Sequence, residues 1–245
     1  MYRFFVEPEQ IGEDSVLIQG KDVNHIKNVL RMKTGETILI SDGSNREYVC
    51  EIASLEDERV VANIVDINGQ SRELPIKVTL FQALPKGDKM ETVIQKVTEL
   101  GGYKFVPMST KRCVVKLDEK KAVNKTKRWN AIAESAAKQS KRGIIPKVNT
   151  PVNFATAIEM AKEMDMVIIA YEEAENMEQT RKIFEKIQKG MNIGVFIGSE
   201  GGFSKEEVEK VKEIGAKVIT LGKRILRTET AGMTVMSILM YLMEE

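Results

Sequence analysis

Apolar and polar positions change rhythm once along the chain, near residue 72. Before that point the apolar runs are short and rich in β-branched and aromatic residues. They are Tyr2–Val6, Ser15–Ile18, Thr37–Ile40, Glu47–Ile52 and Arg59–Val65, divided by Gly12, Gly20, Gly35 and the turn Asp42-Gly43. Runs of this kind between turn residues predict strands. One stretch, Asp22 to Leu30, instead places Val23, Ile26, Val29 and Leu30 on one helical face. Five strands and a helix in so short a span predict a small β-barrel, residues 1–70. Asn68–Arg72 is polar and turn-forming, and predicts a linker.

Beyond the linker, strands alternate with helices. Ile76–Leu84 predicts a strand, and Asp88 caps a helix that runs to Leu100 with Gly101 as its stop. A short strand at Phe105-Val106 follows, then a basic helix over 121–140 carrying Trp129, then a short strand around Val148. The helix Phe154–Met164 leads into Met166–Ala170, an uninterrupted apolar strand of the kind buried inside parallel sheets. A further helix precedes the strand Ile193–Ile197. Such alternation predicts a doubly wound α/β domain over residues 73–245.

Two glycine loops stand out within it. Val195–Ile197 runs into Gly198-Ser-Glu-Gly-Gly-Phe203, and the run ending at Leu221 opens into Gly222-Lys-Arg-Ile-Leu-Arg227. Each reads as strand, loop, helix, and in a parallel sheet such loops lie together at the carboxyl ends of the strands, where ligands bind. Ser204 with Glu207 makes a capping box for the helix Lys205–Ile214. Thr228 or Thr230 is placed to cap the last helix, Ala231–Leu242, whose dense apolar residues call for burial.

Composition narrows the function classes. Two cysteines (Cys50 and Cys113) and one histidine (His25) offer neither a disulfide framework nor a Cys/His zinc site, and no metal is expected. The N-terminus lacks the apolar core of a signal peptide and no apolar run reaches membrane-spanning length, so a soluble cytoplasmic protein is expected. The net charge of +1 conceals a division: residues 1–72 carry −5, residues 85–147 carry +10 and residues 148–245 carry −4. A concentrated basic segment in a neutral chain is the footprint of a polyanion binder.

The sequences Ile197-Gly-Ser-Glu-Gly-Gly-Phe-Ser204 and Leu221-Gly-Lys-Arg-Ile-Leu-Arg-Thr-Glu-Thr-Ala231 resemble the signature loops of the SPOUT superfamily of S-adenosylmethionine-dependent RNA methyltransferases. The match is to its RsmE family, which methylates N3 of a uracil in 16S ribosomal RNA. Leu84-Pro-Lys-Gly-Asp-Lys89, Thr98-Glu-Leu-Gly101 and Ala136-Ala-Lys-Gln-Ser-Lys-Arg142 are similar to that family too, although it usually has proline where Ser199 stands. The resemblance implies a PUA-like RNA-binding barrel at the N-terminus, a SPOUT-type domain with a deep trefoil knot, and a homodimer. It implies S-adenosylmethionine as cofactor and 16S ribosomal RNA or the small ribosomal subunit as partner.

Under that resemblance, main-chain groups at Ile197, Gly198, Leu221, Gly222, Ile225 and Leu226 hold the adenine, and Gly201 admits the ribose or methionine portion. Ala170 and Tyr171 close the pocket from a third loop, and Glu200 and Thr230 complete the set. Arg3, His25, Asn28, Arg31, Arg46, Lys86, Lys138, Lys141 and Arg142 are the candidate RNA contacts. Methylation at uracil N3 requires loss of the imide proton, served by a base and by cations that stabilise the anion. Arg227 and Arg142 are the candidate cations, and Glu200 is the candidate base or orienter. Two other readings share most of these features: a SPOUT methyltransferase acting on a ribose hydroxyl or another base nitrogen, and a non-catalytic RNA-binding assembly factor.

Overall fold

The computed structural model describes residues 1–43, 45–68, 72–174 and 176–244, with the Asn68 side chain excepted. The chain forms two compact units, Met1–Glu73 with Ala137–Ile145, and Leu74–Ala136 with Pro146–Glu245. Residues 69–71 of the expected linker lie outside the described residues.

In the first unit the five expected strands form, several of them longer than their apolar runs: β1 (Tyr2–Phe5), β2 (Ser15–Gln19), β3 (Thr37–Ser41), β4 (Glu47–Leu55) and β5 (Arg59–Asn68). They make one sheet in the order β1-β3-β4-β5-β2, in which only β1 and β3 run parallel. The β4–β5 ladder shifts register twice, between Val49 and Cys50 and between Ile52 and Ser54. Such bulges bend and twist a sheet. Helix α1 (Lys21–Asn24) continues as a π-helical turn, His25–Val29. Phe4, Val16, Ile18, Ile26, Ile38, Ile40, Cys50 and Ile52 fill the core. Burial there pushes the Cys50 thiol up to about 11.

The second unit is built on seven parallel strands: β6 (Lys77–Ala83), β7 (Lys104–Ser109), β8 (Lys147–Val148), β9 (Val152–Asn153), β10 (Met166–Ala170), β11 (Asn192–Ile197) and β12 (Lys217–Ile219). The order is β12-β10-β11-β6-β7-β8, with β9 also against β7. The helices are α2 (Lys89–Glu99), α3 (Glu119–Gln139), α4 (Phe154–Ala161), α5 (Met177–Phe184), α6 (Lys205–Glu213) and α7 (Thr228–Met243). Alternate side chains of each strand enter opposite layers. Leu80, Val195 and Ile197 join Trp129, Val235 and Met236 on one side, while Phe81 and Phe196 join Phe203 and Val208 on the other. Phe81 and Phe196 are cross-strand partners whose rings stack 4.5 Å apart.

Two local expectations need correction. Asp88 stands at the N-cap of α2, but its side chain makes no cap bond; its carbonyl accepts from Glu91 N–H at 2.9 Å instead. Neither Thr228 nor Thr230 caps α7, because the helix starts at Thr228 with Arg227 in the cap position. By its contacts the segment Ala137–Ile145 groups with the first unit. Polar contacts tether it there: Arg3 donates to the Arg142 carbonyl at 2.6 Å, and Ser41 to the Gly143 carbonyl at 2.7 Å. The Ser204–Glu207 capping box forms in both directions.

Candidate active site

Strands β12, β10 and β11 are parallel neighbours, so the loops that follow them emerge side by side. They enclose a cavity of about 540 Å³, a size suited to a cofactor or nucleoside. Ala170 and Tyr171 come from the first loop, Ile197, Gly198, Glu200 and Gly201 from the second, and Leu221, Gly222, Ile225, Leu226 and Arg227 from the third. One cofactor candidate, Thr230, is not among the lining residues. Thr228 and Ala231 are. They lie one turn apart on the face of α7 that meets the cavity, and the intervening Thr230 is rotated into solvent.

The glycines of the second loop answer to close packing. A Cβ on Gly198 would lie 3.0 Å from Gly202 Cα, and one on Gly201 would lie 2.9 Å from Arg112 Cβ. Gly202 N–H closes a turn onto the Ser199 carbonyl at 2.9 Å. In the third loop Gly222 has open space around it, but its φ of +110° excludes a side chain without strain. Ile197, Leu221 and Leu226 supply apolar surface, and main-chain polar groups of both loops border it. That combination fits an adenine, which offers two apolar faces and a hydrogen-bonding edge.

Charge is arranged around this cradle. The Glu200 carboxylate accepts from Lys89 Nζ at 2.7 Å and from the Lys86 backbone N–H at 3.1 Å. Partial burial raises its pKa, but the Lys89 bond and the backbone donors of Glu200 and Lys86 outweigh it and hold the carboxyl below its usual value. Lys89 also lies 3.8 Å from Glu229. Arg112 donates to the Gly201 carbonyl at 2.9 Å and stands 3.9 Å from Glu172. Burial, with Glu173 and Glu172 nearby, pushes the Tyr171 phenol up, so it stays protonated. Lys223, Arg224 and Arg227 are exposed on the lining of the third loop.

The candidate RNA contacts divide sharply. Arg142 is no surface cation: its side chain is 4% exposed, and Nε bonds both Glu73 oxygens at 3.2 and 3.1 Å while Nη2 pairs with Oε2. Arg142 is therefore withdrawn as a catalytic or phosphate-binding residue, and it does not line the cavity. Arg3 is withdrawn for the same reason, being buried and ion-paired to Glu47. Lys138 is half-buried, 3.2 Å from Asp22. His25, Asn28, Arg31, Arg46, Lys86 and Lys141 are exposed. Lys141 has a φ of +58°. It ends α3 in a Schellman motif, with Arg142 N–H on the Ala137 carbonyl and Lys141 N–H on the Lys138 carbonyl.

Sequence reading missed Lys89, Arg112, Glu172, Gln82 and Thr228. Lys89 and Gln82 flank the Leu84-Pro-Lys-Gly stretch, and a glutamine inside an otherwise apolar strand was the available signal. Arg112 and Glu172 carry no local signal, because they reach the glycine loop only through the fold.

The cofactor-sized cavity lies in the α/β unit, and similarity to known proteins gives the class, an RNA methyltransferase. Residues 72–240 match the RNA methyltransferase domain family, and residues 18–65 match the RNA methyltransferase PUA domain family. Ribosomal RNA small subunit methyltransferase E of Bacillus subtilis is 39% identical, with 98% of this chain and 96% of that protein aligned. The crystal structure of the Neisseria gonorrhoeae protein of the same name, bound to S-adenosyl methionine, superposes with a TM-score of 0.83 at 30% identity, covering 99% of this chain and 98% of that one. A Legionella pneumophila methyltransferase in complex with SAM gives a TM-score of 0.83 at 30% identity, covering 98% and 97%. The chain belongs to the ribosomal RNA small subunit methyltransferase E family.

Proposed function

We propose that this protein transfers a methyl group from S-adenosylmethionine to N3 of a uridine in 16S ribosomal RNA. The observation that carries the reading is the cavity enclosed by three adjacent loops, whose glycines, apolar walls and main-chain edges suit the adenosyl group. When bound, S-adenosylmethionine supplies an electrophilic methyl on a cationic sulfonium.

The residues of the chain divide the remaining work. Ile197, Leu221 and Leu226 cover the adenine faces, and backbone at Gly198, Gly222 and Ile225 meets its edge. Ala170 and Tyr171 close the far side, with Gly201 against the ribose or methionine portion. Arg227, exposed at the start of α7, stabilises the uracil anion as the imide proton leaves. Glu200 serves as an orienter, because its carboxylate is already engaged by Lys89 and held below its ordinary pKa. Its bonds to Lys86 and Lys89 brace the loop.

Lys86 and Lys141, with His25, Asn28, Arg31 and Arg46, meet the RNA, a reading supported by their exposure. The first unit closes as a PUA-like barrel, a reading supported by its bulged β4–β5 ladder. The C-terminal segments form a deep trefoil knot, supported by the order β12-β10-β11-β6, which carries the last strand past β10 to the sheet edge. The enzyme works as a cytoplasmic homodimer. Tyr241 and Leu242, exposed near the end of α7, and Ile225, exposed in the third loop, are apolar side chains available to the partner copy.

N3 is the donor through which uracil pairs with adenine, so its methyl group blocks that pair. Reverse transcriptase will stop at one position in small-subunit RNA from cells with the gene and read through without it. Plasmid-borne enzyme will restore the stop, and Arg227→Ala will restore it poorly. Digestion of the RNA and nucleoside analysis will identify N3-methyluridine. A ribose methylation, or no gene-dependent stop, would refute the assignment.

A further inference from the structure

Gln82 interrupts the apolar pattern of β6 at its carboxyl end and is wholly buried, with Phe81, Ala83 and Leu84 buried beside it. In the sheet register it lies opposite Ile197, the last residue of β11 before the glycine loop. Its Nε2 donates to Thr228 Oγ1 at 2.8 Å and to the Ala83 carbonyl at 3.0 Å, with the Gly198 carbonyl at 3.4 Å. The Thr228 hydroxyl in turn donates to the Gly198 carbonyl at 2.5 Å. Donor and acceptor roles are fixed by chemistry. A flipped amide would set Oε1 against two carbonyl oxygens, and the single proton of Thr228 is already committed to Gly198. Gln82 Oε1 has no hydrogen-bond partner among the described residues. A buried acceptor left unmet opposes folding, so the amide stands there for the bonds its Nε2 donates.

What the amide accomplishes is a link between two loops of the cavity. Gly198 opens the loop after β11, and Thr228 starts α7 directly after Arg227. We propose that Gln82 is a positioning residue for methyl transfer, which acts through the Thr228 hydroxyl to hold the Gly198 wall and the Arg227 end of the pocket in one arrangement. The proposal rests on the reading of this cavity as the S-adenosylmethionine site.

The test uses Gln82→Leu, Thr228→Val, Thr228→Ser and the double variant Gln82→Leu/Thr228→Val in the full-length enzyme. S-adenosylmethionine affinity is measured by calorimetry, methyl transfer by steady-state kinetics on unmethylated small subunits, and stability by thermal melting. Gln82→Leu will weaken affinity about tenfold, equivalent to about 1.4 kcal/mol, and lower kcat, at temperatures where the variant remains fully folded. Thr228→Val will behave alike, and Thr228→Ser will recover most of what the valine loses. The double variant will be no worse than the poorer single variant, because one relay is broken either way. Wild-type affinity and kcat in Gln82→Leu would overturn the proposal. So would additive losses in the double variant, or activity falling only in step with the melting temperature. Should Gln82→Leu fail to fold, the serine and valine variants decide alone, and equal damage from both refutes the relay. The underlying site reading has its own control: wild-type affinity in Gly222→Val would place the cofactor elsewhere, whatever the Gln82 variants do.

Discussion

Replacing Arg142 separates a structural cation from a catalytic one. Its guanidinium and the Glu73 carboxylate are 4% and 12% exposed, so both charges have left water. Arg142→Ala removes three hydrogen bonds from that carboxylate, two from Nε and one from Nη2, while the Gly143 N–H at 2.9 Å stays in place. Breaking a buried ion pair from one side costs about 3–5 kcal/mol. For a unit of this size each kcal/mol lowers the melting temperature by roughly 4–8 °C, so a drop of at least 12 °C is expected. Urea unfolding followed by circular dichroism will show an early transition for the first unit. The Arg3 bond to the residue 142 carbonyl survives in the alanine variant, so the loss isolates the side chain. Arg142→Met combined with Glu73→Leu will recover most of the stability, because no charge is then stranded. A normal melting temperature with methyl transfer abolished would refute this reasoning and return Arg142 to the substrate.

Salt dependence of RNA binding supplies the second test: Lys141→Gly will reduce the slope of log affinity against log salt by about one unit, whereas Lys138→Ala, whose ammonium is paired to Asp22, will reduce it less. The same Lys141→Gly substitution will stabilise the chain by about 1 kcal/mol, since glycine accepts a positive φ without the Cβ clash; a destabilised variant would contradict the strain. The folded Glu200 pKa is depressed, so its contribution is complete above the ordinary carboxylate range and fades only as pH falls through the lowered value. A rise of the single-turnover rate between about pH 6 and 9 therefore belongs to another group, and Glu200→Gln will keep that rising limb; its disappearance would make Glu200 the base. Cys50, raised to about 11, favours the folded state less as pH climbs from the unfolded thiol value toward 11, and Cys50→Ala will flatten that alkaline loss of stability in denaturant titrations.

The sequence by itself determined most elements and the loops that matter. Periodicity located all five strands of the first unit, and the Ser204–Glu207 box fixed the start of α6 because a capping box is a local bond pattern. The glycine loops were legible for the same reason, since backbone permissiveness is written in single residues. Tertiary structure decided everything that depends on remote partners. Arg142 and Lys141 are adjacent and alike in charge, yet one is sealed against Glu73 and the other stands in solvent. Thr228, Thr230 and the start of α7 could not be ranked from a run of hydroxyl residues; the pull of Gly198 and Gln82 on Thr228 sorts them. Gln82 itself reads as a polar blemish in a strand until Gly198, 116 residues away, is brought beside it. Local signals act over a few residues, whereas a charge or an amide acquires its role from whichever groups the fold sets within hydrogen-bond reach.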